Sequence, residues 1–144
     1  KDHRGAKIEA RSSHRMTICV AEAPEAMTTF NGLYLLRRRG IVGRFTDDGW
    51  INFDDLKPVD LESNALNGRY DIFAKDSIDR VKLLSFFKPS FQVWLAELPI
   101  EMYFEFCGGT LVVYRYKHEL GEANLDAMVH STAAITRRLL EAVA

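Results

Sequence analysis

Histidine and cysteine are the residue types that most often ligate metals or act in catalysis, and their spacing here predicts neither role. No H-x-x-x-H or H-E-x-x-H pattern is formed by the four histidines: His3, His14, His118 and His130. A structural zinc site needs about four ligands at close paired spacings, and the two cysteines are far apart in the chain. The glycines form no G-x-G-x-x-G or G-x-x-x-x-G-K-[ST] motif, so phosphate cradles of those types are excluded. We therefore predict no metal and no cofactor.

Cys19 and Cys107 each lie in an apolar run that is typical of a strand. Free cysteine is among the most buried residue types, so two buried free thiols are the favoured interpretation. A single disulfide between them is the alternative, because two cysteines alone do not establish a pairing.

Acidic residues cluster between positions 47 and 62, where three close pairs occur: Asp47 and Asp48, Asp54 and Asp55, and Asp60 and Glu62. Two carboxylates held close together can divide acid and base roles, which would make the chain a hydrolase or transferase. Aspartate is also a common turn residue, and this interpretation is favoured. The enzyme hypothesis requires Asp60, Glu62 and His118 to converge in one cleft. If Glu62 is buried, we expect an arginine from residues 37–44 as its partner.

Four arginines form the strongest basic cluster of the chain: Arg37, Arg38, Arg39 and Arg44. Such a cluster could contact an acidic partner protein or anionic lipid headgroups. The favoured alternative is a solvated strand end whose charge is neutralised by the acidic residues that follow at 47–62.

Aromatic residues make up 11% of the chain. Phe91, Trp94, Phe104 and Tyr114 are candidates for an apolar pocket between the helices and the sheet, which would bind a lipid or another apolar ligand. The same residues could simply fill a core, and the sequence does not separate the two cases.

Alternating and helical patterns predict the elements that position these residues. Strands are predicted at residues 15–22, 30–38, 59–62 and 69–74, and a short one at 41–45. Asp48-Gly49 predicts a turn between arms at 43–46 and 50–53, and Gly108-Gly109 predicts a tight turn between strands at 100–107 and 110–116. Helices are predicted at residues 77–85, with Asp76 as the N-cap, at 88–98 and at 123–143. This order predicts an α+β fold with a largely antiparallel sheet of about five to seven strands, packed by two or three helices including a long C-terminal one.

Length and composition fit one globular domain. The chain has 144 residues, 47% of them hydrophobic, and a formal net charge of −1. We expect residues 1–14 to form a flexible tail or linker and residues 15–144 a single domain. The balanced charge argues against a nucleic-acid partner. No apolar stretch approaches the roughly 20 residues that span a bilayer. Because the chain begins at Lys1 rather than at a methionine, we expect it to be part of a longer protein.

Residues 30–116 also resemble a known group of proteins. The segments that carry the resemblance are FNGLY at 30–34, VDLES at 59–63, YDIFA at 70–74 with Asp76, PSF at 89–91, and the hairpin segments YFEF at 103–106 and LVVY at 111–114. The pattern resembles an uncharacterised bacterial family whose members carry transmembrane helices ahead of a cytosolic α+β domain of unknown function. The resemblance implies a domain on the cytosolic face of a membrane, anchored through a segment upstream of Lys1. Together with the missing motifs, it favours a non-enzymatic interaction or scaffold domain with a protein partner, which would act through an exposed sheet edge or the arginine cluster. The oligomeric state is left open.

Overall fold

The computed structural model describes residues 15–38, 55–119 and 121–144. Their sheet has six strands: β1 (Thr17–Glu22), β2 (Leu33–Arg37), β3 (Leu56–Pro58), β4 (Tyr70–Lys75), β5 (Tyr103–Cys107) and β6 (Thr110–Arg115). The order across the sheet is β1-β6-β5-β2-β4-β3, and every neighbouring pair is antiparallel. The predicted α+β fold with an antiparallel sheet is thereby confirmed.

Five α-helices lie within these described ranges: α1 (Met27–Phe30), α2 (Asn64–Arg69), α3 (Arg80–Phe86), α4 (Pro89–Ala96) and α5 (Glu122–Val143). A short 3₁₀ turn, Pro24–Ala26, precedes α1. Helix side chains such as Phe86, Leu95 and Ile135 join Leu35 and Phe104 of the sheet in one continuous hydrophobic core. The helices therefore cover one face of the sheet.

The β5–β6 hairpin forms as predicted, around a two-residue turn. Gly108 and Gly109 both have positive φ, 61° and 82°, which a type I′ turn requires and which glycine adopts without a Cβ clash. This turn pairs Cys107 with Thr110 and so fixes the register along the whole hairpin.

The helices α3 and α4 show how local signals set helix ends. The Asp79 carboxylate accepts a hydrogen bond from the Val81 N–H at 3.1 Å, so Asp79 is the N-cap of α3. The helix begins three residues later than the position that Asp76 predicted. Asp76 instead forms an ion pair with Lys57 at 3.3 Å. Pro89 starts α4 as predicted.

A side chain from another helix caps the C-terminal end of α4. The Arg69 guanidinium, at the end of α2, donates to the carbonyl oxygens of Leu95, Ala96 and Leu98 at 3.3, 2.8 and 3.0 Å. These include carbonyls that a helix C-terminus leaves without partners. Arg69 thus joins α2 to the end of α4.

A buried ion pair holds the connection between β6 and α5. Arg115 and Glu119 contact each other with both side chains largely shielded from solvent. The Glu119 N–H donates to the Thr17 hydroxyl at 2.9 Å, and that hydroxyl donates to the Lys117 carbonyl at 2.7 Å. These bonds tie the start of β1 to the loop before α5.

Some predicted elements differ or fall elsewhere. The strand predicted at 59–62 is wrong in position: β3 spans Leu56–Pro58, where it pairs with β4, and residues 59–62 form no strand. The predicted strand at 41–45, the hairpin arms at 43–46 and 50–53, and the tail at 1–14 lie outside the described residues.

Candidate functional site

Two of the four clustered arginines lie in the described part of the chain, and both contact groups of the domain itself. The Arg37 guanidinium lies 4.3 Å from the Tyr116 ring centroid, and its Nε donates to the Tyr103 hydroxyl at 3.4 Å. Arg38 donates to the Asn67 carbonyl, and its Nε lies 3.8 Å from a carboxylate oxygen of the buried Asp71. Asp71 is not one of the acidic residues predicted to neutralise this cluster. Arg39 and Arg44 lie outside the described residues.

Arg37 belongs to a cluster of tyrosines at one end of the sheet. The Tyr103 ring lies between 5.5 and 6.0 Å, centroid to centroid, from three other tyrosine rings: Tyr70, Tyr114 and Tyr116. The Tyr103 hydroxyl donates to a Glu101 carboxylate oxygen at 2.5 Å. The rings pack at the tilted or edge-on angles that aromatic side chains prefer, and Tyr70, Tyr103 and Tyr114 are buried.

Two tyrosines of this cluster, Tyr70 and Tyr103, are poor proton acceptors at neutral pH. Burial raises the pKa of Tyr70 to about 12. Burial, followed by the hydrogen bond to Glu101, also raises the pKa of Tyr103 above its usual value. Both phenols are therefore protonated throughout the physiological range, and neither is suited to act as a general base.

Both cysteines are free, and both are half-buried rather than fully buried. The Cys107 thiol donates to the Tyr34 hydroxyl at 3.1 Å. Burial, followed by this hydrogen bond, raises the pKa of Tyr34. The favoured prediction of two free thiols fits this arrangement, whereas their predicted complete burial does not.

The carboxylates predicted for catalysis do not converge with a histidine in the described residues. Asp60 and Glu62 are exposed and line one open cleft with Arg80 of α3. His118 is exposed after β6 and does not line this cleft. Because Glu62 is exposed, it needs no buried arginine partner. Three of the other paired acidic residues lie outside the described ranges: Asp47, Asp48 and Asp54.

The four predicted pocket residues are not brought together in one pocket. Phe91 and Trp94 line a cleft between α4 and α5. Phe104 is buried against Phe86, at 6.3 Å between ring centroids, on the face that the helices cover. Tyr114 is buried in the tyrosine cluster.

The hairpin register explains why Phe104 and Tyr114 separate. The two-residue turn pairs Phe104 with Val113 and Tyr103 with Tyr114. Because paired residues share a face and successive residues alternate, Phe104 and Tyr114 point to opposite faces of the sheet.

The sequence predicts an exposed sheet edge as a possible interaction surface but does not identify the strand. In the described structure, β1 is such an edge. β1 pairs with β6 along its full length, and no described strand pairs with its other side. Ile18 and Val20 are 52% and 58% exposed, and Met16, just before β1, is also exposed. Cys19 and Ala21 alternate with them and pack against the core. The strand is therefore held firmly on its inner face and shows an apolar outer face.

The backbone groups of this edge also point outward at alternate residues. The Ala23 N–H donates to the Gly109 carbonyl at 2.8 Å, on the side of β6. Antiparallel alternation then directs the N–H and C=O groups of Ile18, Val20 and Glu22 away from β6. These are the groups with which an added strand would pair.

The opposite edge of the sheet is protected, unlike β1. β3 has three residues, and two of them are the exposed Lys57 and Pro58. Short length, lysine and proline are the usual devices by which edge strands avoid pairing with other chains. Between Met16 and Ala21 there is no charged residue and no proline.

Two classes of site find no support in the residues that the structure describes. No group of three or more His, Cys, Asp or Glu side chains is arranged to hold a metal ion within the described ranges. None of the helices in those ranges combines the length and the apolar character needed to cross a membrane.

Comparison of the chain with protein-family models, with curated proteins and with solved structures gives no match. The resemblance to a membrane-anchored bacterial family therefore stays a prediction.

Proposed function

We propose that this domain is a non-enzymatic protein-interaction domain that binds an extended segment of a partner protein along the β1 edge. The observation that carries the proposal is the contrast between the two sheet edges. The edge formed by Met16–Ala21 carries no charged residue and Glu22 is the only charge within β1, whereas β3 is short and carries the exposed Lys57 and Pro58. Addition of a strand to an exposed edge is a recurring mode of peptide recognition.

The chemistry of the edge defines the partner segment. Main-chain hydrogen bonds would come from the outward N–H and C=O groups of Ile18, Val20 and Glu22. Ile18 and Val20 would pack against apolar or β-branched side chains at alternate positions of the partner strand. The partner is thus an extended segment of about six residues with an apolar face.

The rigidity of β1 supports this role. One side of the strand is fixed by β6, and its inner face packs on α5. The edge is therefore ordered before binding, which lowers the entropic cost of association. Arg37 and Arg38 contact groups within the domain, so the edge is a better candidate surface than the arginine cluster. A location at the cytosolic face of a membrane remains part of the proposal and rests on the resemblance alone.

A selected peptide tests the proposal. Peptides chosen for binding from a random display library are measured against the unmodified chain and against Val20→Pro. This substitution removes an outward N–H while leaving the hydrogen bonds between β1 and β6 intact. We expect binding to weaken at least about tenfold.

A matched pair of variants provides the control. Ile18→Lys places a charge on the edge, and Val81→Lys makes the same kind of change at a helix residue that is 72% exposed. Affinity should fall for Ile18→Lys and stay unchanged for Val81→Lys. Peptides that bind all the variants equally, or a library that yields no binding peptide, would refute the proposal.

A further inference from the structure

A second surface, formed by α4 and α5, has the features of a small-molecule site. A cleft of about 340 Å³ separates the two helices. Phe91 and Trp94 line it from α4, one helical turn apart. The residues that line it from α5 recur at offsets 0, 3, 4 and 7 and so share one helix face: Ala134, Arg137, Arg138 and Glu141.

The floor of this cleft is an ordered stack of aromatic rings. The Phe91 and Trp94 rings are 5.6 Å apart, centroid to centroid, with 15° between their planes. Phe91 is buried and also contacts the rings of Phe86 and Phe87. Trp94 is only half-buried and ends the stack. A planar ring could therefore extend the stack on Trp94 without reordering the side chains beneath it.

Two cations lie beside this floor. The Arg138 guanidinium is 5.2 Å from the centroid of the Phe91 ring. Arg37, Arg38, Arg69 and Arg115 all have partners within the domain, through carboxylates, carbonyls or tyrosines. In contrast, no ion pair with a described carboxylate is formed by Arg137 or Arg138. Among the described residues, no carboxylate neutralises their charge.

We propose that this cleft binds a small heteroaromatic anion of the nucleoside monophosphate class. The ring stacks on Trp94, and the phosphate lies between the guanidinium groups of Arg137 and Arg138, which can donate paired hydrogen bonds. Glu141, at the end of the same face, can accept a hydrogen bond from an N–H group of the ring. The volume lies within the usual range for a small-molecule site.

The probes are AMP, UMP, adenosine and inorganic phosphate, each titrated by calorimetry into the full chain. Because the site recognises a ring and an anion together, at least one of the nucleotides should bind with a Kd below about 1 mM. Adenosine lacks the anion and inorganic phosphate lacks the ring, so each should bind at least about tenfold more weakly than the nucleotide.

Two arginine variants locate the site. The double substitution Arg137→Gln and Arg138→Gln should weaken nucleotide binding at least about tenfold. Arg80→Gln removes an exposed arginine from α3 and should leave binding unchanged. Thermal unfolding of each variant checks that the fold is retained, and a shift of the Ala134 amide resonance on AMP addition identifies the cleft independently.

Three results would overturn this site. They are no binding of either nucleotide at about 5 mM, equal binding of phosphate and AMP, or equal loss in the double variant and in Arg80→Gln. None of them bears on the β1 edge, so this proposal and the proposed function fail separately.

Discussion

Arg37 lies against the Tyr116 ring and hydrogen-bonds to Tyr103, so its guanidinium interacts with groups of the domain itself. Its residue type and its basic neighbours in sequence favour a surface role. What decides otherwise is the position of Tyr103 and Tyr116, which belong to a hairpin more than sixty residues away along the chain. The residue type determines which interactions a side chain can form, and its neighbours in the fold determine which of those interactions it does form.

Tyr70 gives a prediction at the same scale. Its pKa is about 12 in the folded chain, above the value of about 10 expected in the unfolded chain. The unfolded state therefore releases this proton first as the pH rises. The stability that depends on the protonated phenol is fully present below pH 10 and is lost between about pH 10 and 12.

Tyr70→Phe removes this source of alkaline sensitivity. Between pH 8 and pH 11, the free energy of unfolding should fall by about 1 kcal/mol less in the variant than in the unmodified chain. Urea unfolding at the two pH values measures the difference. Identical losses in the two proteins would show that Tyr70 ionises equally easily in the folded and unfolded states.

At the scale of the element, the ends of helices were only partly predictable. Pro89 marks the start of α4 because proline fits the first helical position without needing a donor. Asp76 and Asp79 are equally good N-caps by type, and the structure uses Asp79. The Ile78 N–H bonds to the Lys75 carbonyl at 3.0 Å, in a turn that leads out of β4 and delays the helix.

The C-terminal carbonyls of α4 are capped by Arg69, a distant residue whose role no local sequence signal identifies. Arg69→Lys keeps the charge but cannot reach three carbonyl oxygens with a planar fork. We expect the free energy of unfolding to fall by about 2 kcal/mol. Arg80→Lys, at an exposed position, should change it by less than about 0.5 kcal/mol.

Denaturant unfolding of the two variants decides this point. If Arg69→Lys and Arg80→Lys have the same free energy of unfolding, the guanidinium of Arg69 stabilises the fold no more than a lysine ammonium would, and the prediction is wrong.

At the scale of the whole molecule, local and distant pairings differ in how far the sequence reveals them. The β5–β6 hairpin is predictable because two glycines fix a short turn between alternating strands. The placement of β2 between β4 and β5, and of β1 beside β6, joins segments far apart in the chain. Alternation in each strand specifies a buried face but not which strand lies beside it.

The candidate site follows from this strand order. β1 is an outer strand of the described sheet, which places the exposed apolar side chains of Met16, Ile18 and Val20 at an edge. This surface can therefore be recognised only when the strand order is known. The same residues beside a further strand would be ordinary sheet residues. Phe91 and Trp94, by contrast, could be placed together from helical spacing alone, whereas the arginines opposite them on α5 could not.

Amide hydrogen exchange along β1, measured with and without a selected peptide, tests the central claim most directly. In the free chain, the inward N–H groups of residues 17, 19 and 21 should exchange slowly, and those of Ile18, Val20 and Glu22 quickly. Peptide binding should slow exchange at Ile18, Val20 and Glu22, giving protection at every residue of the strand. If these three amides remain as fast in the complex as in the free chain, the peptide does not pair with β1 and the proposed function is wrong.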